Sequence, residues 1–194
     1  MRKIVLASAS PRREALLRQA GMDFELRPTN VSEDVGEEVS PYDVVKALAE
    51  RKAAAALKSS VGDEIIIAAD TVVDLHGAIM NKPNGPAEAA DMLKRLQGEM
   101  HSVYTGLALI NKTALGCEMM ITVDTTEVYM RPLTDGEIAA YIATGEPFDK
   151  AGGYAIQGKG AFLIERVEGD YYTVMGLPLV KLYMALREWG VELF

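Results

Sequence analysis

Asp70 is the residue whose position most clearly suggests chemistry. It follows a nearly continuous apolar run, EIIIAA at residues 64–69, and precedes Thr71. Because a carboxylate is poorly tolerated inside such a run, we expect Asp70 at the mouth of a sheet, where a strand ends. A carboxylate there can act as a metal ligand or as a general base. An aspartate that forms a turn or caps a helix is the structural alternative.

Residues 8–13, SASPRR, have the composition of a phosphate-binding segment. They lie at a predicted junction between a strand and a helix, where free backbone N–H groups, hydroxyls and two guanidinium groups can converge on phosphate oxygens. Since Ser-Pro helix starts are common, an ordinary helix N-terminus with two solvated arginines is the alternative.

An acidic loop at residues 31–39 supplies the best partner for Asp70 in a metal site. Glu33 can join Asp70 around Mg²⁺ or Mn²⁺, because these hard cations prefer oxygen ligands. A run of acids in a loop is also typical of a solvated surface. Lys52, on a predicted helix, and Lys82, after a predicted strand pair, can both face phosphates, although most lysines are simply exposed.

A glycine-rich loop, DKAGGYAIQG at residues 149–158, is a candidate nucleotide loop. Its glycines allow the backbone to approach a ligand, and the Gln157 amide offers both a donor and an acceptor to a base edge. The loop matches neither a P-loop nor GxGxxG, so a turn between strands is the alternative. The chain has no GxSxG elbow and no HExxH, and Cys117 lies at the start of a predicted strand, which disfavours covalent and zinc hydrolase chemistry.

The elements that must position these residues alternate between strand and helix in the first half of the chain. Ser40 is a good N-cap, followed by Pro41 in the first helical position. We predict strands at residues 3–7, 23–26 and 64–69, and helices at residues 11–19, 41–57 and 86–96.

The second half of the chain predicts a β-hairpin followed by both helices and strands. Thr134 and Glu137 form a predicted capping box. We predict hairpin strands at residues 102–110 and 118–130, further strands at 162–167 and 171–174, and helices at 134–144 and 179–189. The whole pattern predicts an α/β fold with a mixed, twisted sheet flanked by helices and two lobes around a cleft, with ligands at the carboxyl ends of the strands.

The composition limits the class of protein. The 194 residues, 49% of them hydrophobic, suit a single domain spanning residues 1–194, and no apolar run approaches the roughly 20 residues that cross a bilayer, so we expect no membrane insertion. The net charge of −8 argues against nucleic-acid polymers as partners. The single cysteine excludes an intramolecular disulfide, favours the cytoplasm and, with only two histidines, leaves too few ligands for a zinc site.

Six ordered motifs carry a resemblance to a known family. LASASPRR, AADTVV, NKP, VYTG, EPFDKAGGYAIQGKG and GDYYTVMGLPL together resemble the Maf family of nucleoside triphosphate pyrophosphatases, over nearly the whole chain. The resemblance implies a mixed α/β fold similar to that of inosine triphosphatases, a homodimer, a phosphate-binding cleft between lobes and a required divalent cation, Mg²⁺ or Mn²⁺.

The resemblance also implies roles for individual residues. Asp70 matches the catalytic base and, with Glu33, the metal site. The positions that match the family's phosphate and metal site are Ser8, Arg13, Glu33, Lys52 and Lys82. Arg12, Thr71 and Gln157 look like the branch that acts on dTTP and UTP, whereas a sister branch that prefers 7-methyl-GTP differs at these positions.

We therefore expect hydrolysis of dTTP and UTP to the monophosphate and pyrophosphate, with removal of modified pyrimidine nucleotides as a physiological role. Activation of a metal-bound water would reconcile the two roles of Asp70. The alternatives are a 7-methyl-GTP pyrophosphatase and, from another class, a non-catalytic nucleotide-binding regulator of septum formation.

Overall fold

The computed structural model describes residues 2–36 and 39–193; Glu37 and Glu38 of the predicted acidic loop lie outside them. In the first half the elements are β1 (Lys3–Leu6), α1 (Pro11–Gln19), β2 (Glu25–Leu26), α2 (Pro41–Leu57), β3 (Glu64–Leu75), β4 (Ala78–Met80) and α3 (Pro86–Leu96). In the second half they are β5 (Met100–Thr113), β6 (Gly116–Met130), α4 (Asp135–Ile142), β7 (Ile164–Glu168), α5 (Tyr171–Met175) and α6 (Leu179–Glu188).

The described strands form one mixed seven-stranded sheet in the order β2-β1-β3-β5-β6-β7, with β4 paired to β3. β1 runs parallel to both β2 and β3, with Leu6 opposite Ile67 at the end of the β1–β3 ladder. β4 is antiparallel to β3, and β7 is antiparallel to β6. The predicted α/β class with a mixed sheet and helices is confirmed.

The chain divides into two compact units, which confirms the two predicted lobes; the cleft stays a prediction. The first unit comprises Met1–Asp70, Thr105–Asp124 and Gly176–Phe194, and the second comprises Thr71–Tyr104 and Thr125–Met175. The boundary in β3 therefore falls directly after Asp70.

The core of the first unit depends on small side chains. The alanine face of α2 packs on three strands, with a buried cluster formed by Val5, Ala7, Ala49, Ala53, Ala56, Ile66, Ala68, Ala108 and Ile110. Alanine lets a helix approach a sheet closely, and at Gly106 in β5 the approach is so close that a Cβ atom would lie 2.2 Å from the Val45 carbonyl oxygen. This packing holds α2 in place over β3.

The core of the second unit contains larger side chains. Its buried cluster is formed by Val73, Leu75, Met80, Leu93, Leu96, Val103, Val128, Met130, Ile138, Tyr141, Tyr154 and Leu163.

The predicted caps are confirmed at both helices where they were expected. Ser40 Oγ accepts from Asp43 N at 3.1 Å, and Thr134 and Glu137 form the reciprocal capping box of α4.

One predicted strand is longer in the structure, and another is a helix. β3 does not end at Asp70 but continues to Leu75, because Val72, Val73 and Leu75 remain buried and the strand turns into β4. Asp70 is therefore inside a strand and not at its carboxyl end.

The predicted strand at residues 171–174 is wrong, because Tyr171–Met175 is a helix. Its start is fixed by Asp170, whose Oδ1 accepts from Tyr172 N at 2.9 Å and whose backbone is held by Thr126 Oγ1. This capping overrides the strand preference of the Tyr-Tyr-Thr-Val sequence. The strand predicted at 162–167 is β7, which begins two residues later, after a 3₁₀ segment at Gly158–Leu163.

None of the described helices combines the length and the apolar character that crossing a membrane requires.

An ion cluster fixes the amino end of β3. The Glu64 side chain is fully buried, and its carboxylate accepts two hydrogen bonds from the Arg27 guanidinium, at 2.8 and 3.0 Å, and one from Ser60 Oγ at 2.7 Å. These bonds, those from Arg27 above all, lower the pKa of Glu64 from 4.5 to about 2. The ionised form of Glu64 therefore stabilises the folded chain.

Gly106→Ala is expected to lower the free energy of unfolding by about 3 kcal/mol, because the new Cβ would overlap the backbone of α2. Gly136→Ala is the matched control. Gly136 lies in α4 with no atom closer than 3.9 Å to a new Cβ, so alanine there should stabilise by about 0.5–1 kcal/mol. Urea unfolding measures both, and a Gly106→Ala protein as stable as the parent would contradict the close packing.

Glu64→Gln is expected to remove a stabilisation of about 3 kcal/mol at pH 7, given the depressed pKa of Glu64. Because the folded pKa lies below the unfolded value, this stabilisation is present above about pH 4.5 and is lost as the pH falls toward 2. Unfolding free energies measured from pH 7 to pH 2.5 should therefore converge for the parent and the variant. Glu50→Gln, at an exposed position of α2, should leave the whole curve unchanged.

Candidate functional site

The first unit contains six of the nine residues singled out from the sequence. They are Ser8, Arg12, Arg13, Glu33, Lys52 and Asp70. Elements far apart in the chain supply them, since they come from the turn after β1, from α1, from the loop before α2, from α2 and from β3.

Lys52 joins the two predicted metal-site carboxylates. Its ammonium donates a hydrogen bond to Asp70 Oδ1 and lies 3.5 Å from Glu33 Oε1. The side chains of Lys52 and Asp70 are only 15% and 11% exposed, whereas Glu33 is 72% exposed. The ion pair of Lys52 and Asp70 is thus nearly buried, and the exposed Glu33 carboxylate lies close to it on the solvent side.

Arg13 holds the backbone next to Asp70. From the first turn of α1, its Nη1 donates to the Ala69 carbonyl oxygen at 2.8 Å and its Nε donates to the Gly176 carbonyl oxygen at 2.6 Å. Burial lowers the pKa of Arg13 to about 10, and the neighbouring Asp70 charge opposes that change. Arg13 therefore stays protonated at neutral pH, and it fixes the peptide that precedes Asp70.

Ser8 shapes the turn into α1. Its buried hydroxyl accepts from Ser10 N at 3.1 Å and from Arg13 Nη1 at 3.4 Å. Arg12 lies close enough to lower the pKa of Arg13 through like-charge repulsion. The turn therefore gathers two guanidinium groups at the amino end of a helix, an arrangement that suits an anionic group.

Glu33 and Asp70 stay predicted ligands of a divalent cation, as a site of two carboxylates. Within residues 2–36 and 39–193, no group of three His, Cys, Asp or Glu side chains is arranged to hold a metal ion. Mg²⁺ does not need such a group, since it is commonly bound by one or two carboxylates with substrate phosphates and water as its other ligands. Both carboxylates contact the Lys52 ammonium, so they lie near one another.

The second unit contains Thr71, Lys82 and Gln157, on segments that contact one another. Gly152 N, in the glycine-rich loop, donates to the Asn81 carbonyl oxygen at 3.2 Å, next to Lys82. A Cβ at Gly152 would lie 3.1 Å from Val73, two residues after Thr71 in β3. Lys82 and Gln157 are both exposed, so their side chains are accessible.

Two side chains that the sequence interpretation did not single out anchor the glycine-rich loop. Glu146 accepts hydrogen bonds from the backbone N–H groups of Lys159 and Gly160, and Tyr141 accepts one from Ala155 N. Glu146 lies in the EPFDKAGGYAIQGKG motif that carried the family resemblance, so the motif was the available signal. Its contact with residues 159 and 160 could not be read from spacing.

The fold is shared with a HAM1 protein from Coxiella burnetii. The two structures superpose with a TM-score of 0.54 over 97% of this chain and 100% of that chain, at 18% sequence identity. This likeness agrees with the fold expected from the resemblance to inosine triphosphatases. It defines the class of fold and nothing about activity.

The chain belongs to the Maf family, whose model, described as "Maf-like protein", matches residues 3–189. It is 45% identical to the dTTP/UTP pyrophosphatase of Bacillus cereus (strain ZK / E33L) over 192 residues, 99% of this chain and 98% of that protein. It is 44% identical to the dTTP/UTP pyrophosphatase of Bacillus anthracis over the same shares of both chains. The predicted family is confirmed.

Arg13→Lys is expected to lower the free energy of unfolding by about 2 kcal/mol, because one ammonium cannot reproduce the guanidinium hydrogen bonds to the Ala69 and Gly176 carbonyl oxygens. Arg18→Lys is the control on the same helix. Arg18 forms an exposed ion pair with Glu14, so its replacement should change stability by less than about 0.5 kcal/mol. If urea unfolding gave the same small change in the free energy of unfolding for both variants, Arg13 would not be stabilising β3 through these hydrogen bonds.

Proposed function

We propose that this chain is a nucleoside triphosphate pyrophosphatase that hydrolyses dTTP and UTP to the monophosphate and pyrophosphate. The observation that carries the proposal is the nearly buried Asp70 carboxylate, to which Lys52 donates a hydrogen bond, with Glu33 nearby and Arg13 holding the preceding Ala69 carbonyl. The full-length similarity to proteins named dTTP/UTP pyrophosphatases supports the choice of reaction and substrates.

Asp70 is the proposed base. Its carboxylate accepts a proton from a water molecule as the water oxygen attacks the α-phosphorus, and the bond from that phosphorus to the bridging oxygen breaks. Pyrophosphate leaves with the electron pair, so the products are a nucleoside monophosphate, pyrophosphate and one proton. Lys52 positions the carboxylate through their hydrogen bond.

The remaining residues neutralise and orient the substrate. We assign phosphate binding to Ser8, Arg13, Lys52 and Lys82. Glu33 and Asp70 would hold Mg²⁺ or Mn²⁺, which when bound supplies charge neutralisation and Lewis acidity at the phosphates. Arg12, Thr71 and Gln157 are assigned to selection of the pyrimidine nucleotide, with the Gln157 amide able to donate to and accept from a base edge.

The setting of the reaction is part of the proposal. The single cysteine suits a reducing compartment, so we assign the protein to the cytoplasm, where it would remove modified pyrimidine nucleotides. We also propose a homodimer. The hairpin of β5 and β6 and the face of α6 expose apolar side chains that could be covered in it, namely Leu115, Met119, Val180 and Met184.

A nucleotide panel tests the proposed substrates. Purified protein with Mg²⁺ or Mn²⁺ is expected to release pyrophosphate from dTTP and UTP, much more slowly from dCTP and 7-methyl-GTP, and not at all after chelation of the metal. Turnover of 7-methyl-GTP alone would contradict the assigned substrates. Nucleotide binding without turnover of any member would favour the regulator of septum formation.

Asp70→Asn tests the proposed base. The amide cannot take up the proton, so kcat for dTTP should fall by about 10²–10⁴-fold while the circular dichroism spectrum stays that of the parent. Asp63→Asn, at an exposed position seven residues earlier, is the matched control and should retain full activity. A folded Asp70→Asn protein with parental kcat would remove Asp70 from this role.

A further inference from the structure

The glycine-rich loop, taken together with the next two residues as residues 149–160, has a buried base and an exposed tip. Residues 152–155 and Gly160 are buried, whereas residues 157–159, including Gln157, are exposed. Gly158 has a φ of 61°, in the region that favours glycine, and a Cβ there would lie 2.9 Å from Glu146 Oε1. The tip is thus bent tightly against one carboxylate.

Glu146 holds the tip on its C-terminal side. Its Oε1 accepts from Lys159 N at 3.1 Å and its Oε2 accepts from Gly160 N at 3.2 Å. Hydrogen bonds from backbone amides to a carboxylate are stronger than those between neutral groups. One half-buried side chain therefore satisfies two consecutive amides directly after Gln157 and Gly158.

Tyr141 and His101 hold the loop on its N-terminal side. The Tyr141 hydroxyl accepts from Ala155 N at 3.1 Å. Burial above all, and then the nearby Glu146 charge, raise the pKa of Tyr141, so this hydroxyl stays protonated. One residue before Ala155, the Tyr154 hydroxyl lies 2.6 Å from His101 Nε2 in the interior of the unit. Only residues 156–158 separate the two anchored backbone groups at Ala155 and Lys159.

We propose that Glu146, together with Tyr141, is a positioning residue that fixes this loop in the shape that presents Gln157 to the nucleotide base. The proposal rests on the proposed function, in which Gln157 contacts the base. A glycine-containing tip without these anchors would have to be ordered when the nucleotide binds, and that entropy would be subtracted from the binding free energy. Glu146 removes this cost before the nucleotide arrives.

Glu146→Gln is the principal test. The amide keeps one acceptor but turns a donor toward the other backbone N–H, so one of the two bonds is lost. The KM for dTTP and UTP should rise about tenfold while kcat changes less than about twofold, because Glu146 belongs to binding and not to the proposed proton transfer. Hydrogen exchange at the Lys159 and Gly160 amides should become faster.

Two further proteins serve as references for this change. Tyr141→Phe removes the acceptor for Ala155 N and should raise KM in the same way, which provides a second variant if Glu146→Gln does not fold. Glu188→Gln is the matched control, since it makes the same change at an exposed position of α6, and it should leave KM unchanged.

A double-mutant cycle with Gln157→Ala separates positioning from general stability. If Glu146 acts through Gln157, then Glu146→Gln should add less than about twofold to KM in the Gln157→Ala background. A tenfold increase in both backgrounds would show that Glu146 only supports the fold and would overturn the proposal.

Measurements of pyrophosphate release by the parent protein distinguish failure of the positioning role from failure of the proposed function. Absence of pyrophosphate release by the parent from every nucleotide would overturn the proposed function and, with it, the role of Glu146. Turnover by the parent with an unchanged KM in folded Glu146→Gln and Tyr141→Phe would overturn the positioning role alone.

Discussion

The ion pair between Lys52 and Asp70 is the interaction on which the candidate site depends. Asp70 lies within β3, where a nearly buried carboxylate is costly unless a cation is close. Lys52 reaches it only because the alanine face of α2 lies close to the sheet, and that closeness requires glycine at position 106. Packing of small side chains therefore determines where the charged group can be.

In the second unit the anchoring side chain is a carboxylate, so the charges are reversed. The backbone N–H groups of Lys159 and Gly160 lie in the first turn of the 3₁₀ segment, where helical partners are lacking, and Glu146 accepts from both. In the first unit a cation holds a carboxylate, and in the second a carboxylate holds a loop. Lys52 lies on α2 and fixes Asp70, whereas Glu146 lies just after α4 and fixes the loop that carries Gln157. Each of these polar side chains thus positions a group that is proposed to act on the substrate.

Local signals in the sequence predicted much of this arrangement. The caps at Ser40 and Thr134 depend on neighbouring residues and were predicted correctly. The apolar run before Asp70 was correctly predicted to be a strand, but the end of that strand was not. The sequence did not predict the features that depend on contacts between residues far apart in the chain. Arg13 donates to Gly176, 163 residues further along the chain, and α5 replaces a predicted strand because Thr126 holds Asp170 from 44 residues away. Likewise, Glu146 meets the loop 13 and 14 residues later through a turn that no periodicity encodes.

In the proposed reaction the water molecule attacks the α-phosphorus. Hydrolysis of dTTP in water enriched in ¹⁸O tests it most directly, with the products examined by mass spectrometry after a single turnover. Attack on the α-phosphorus places one ¹⁸O atom in the thymidine monophosphate and none in the pyrophosphate. Label in the pyrophosphate would place the attack on the β-phosphorus and would contradict the account.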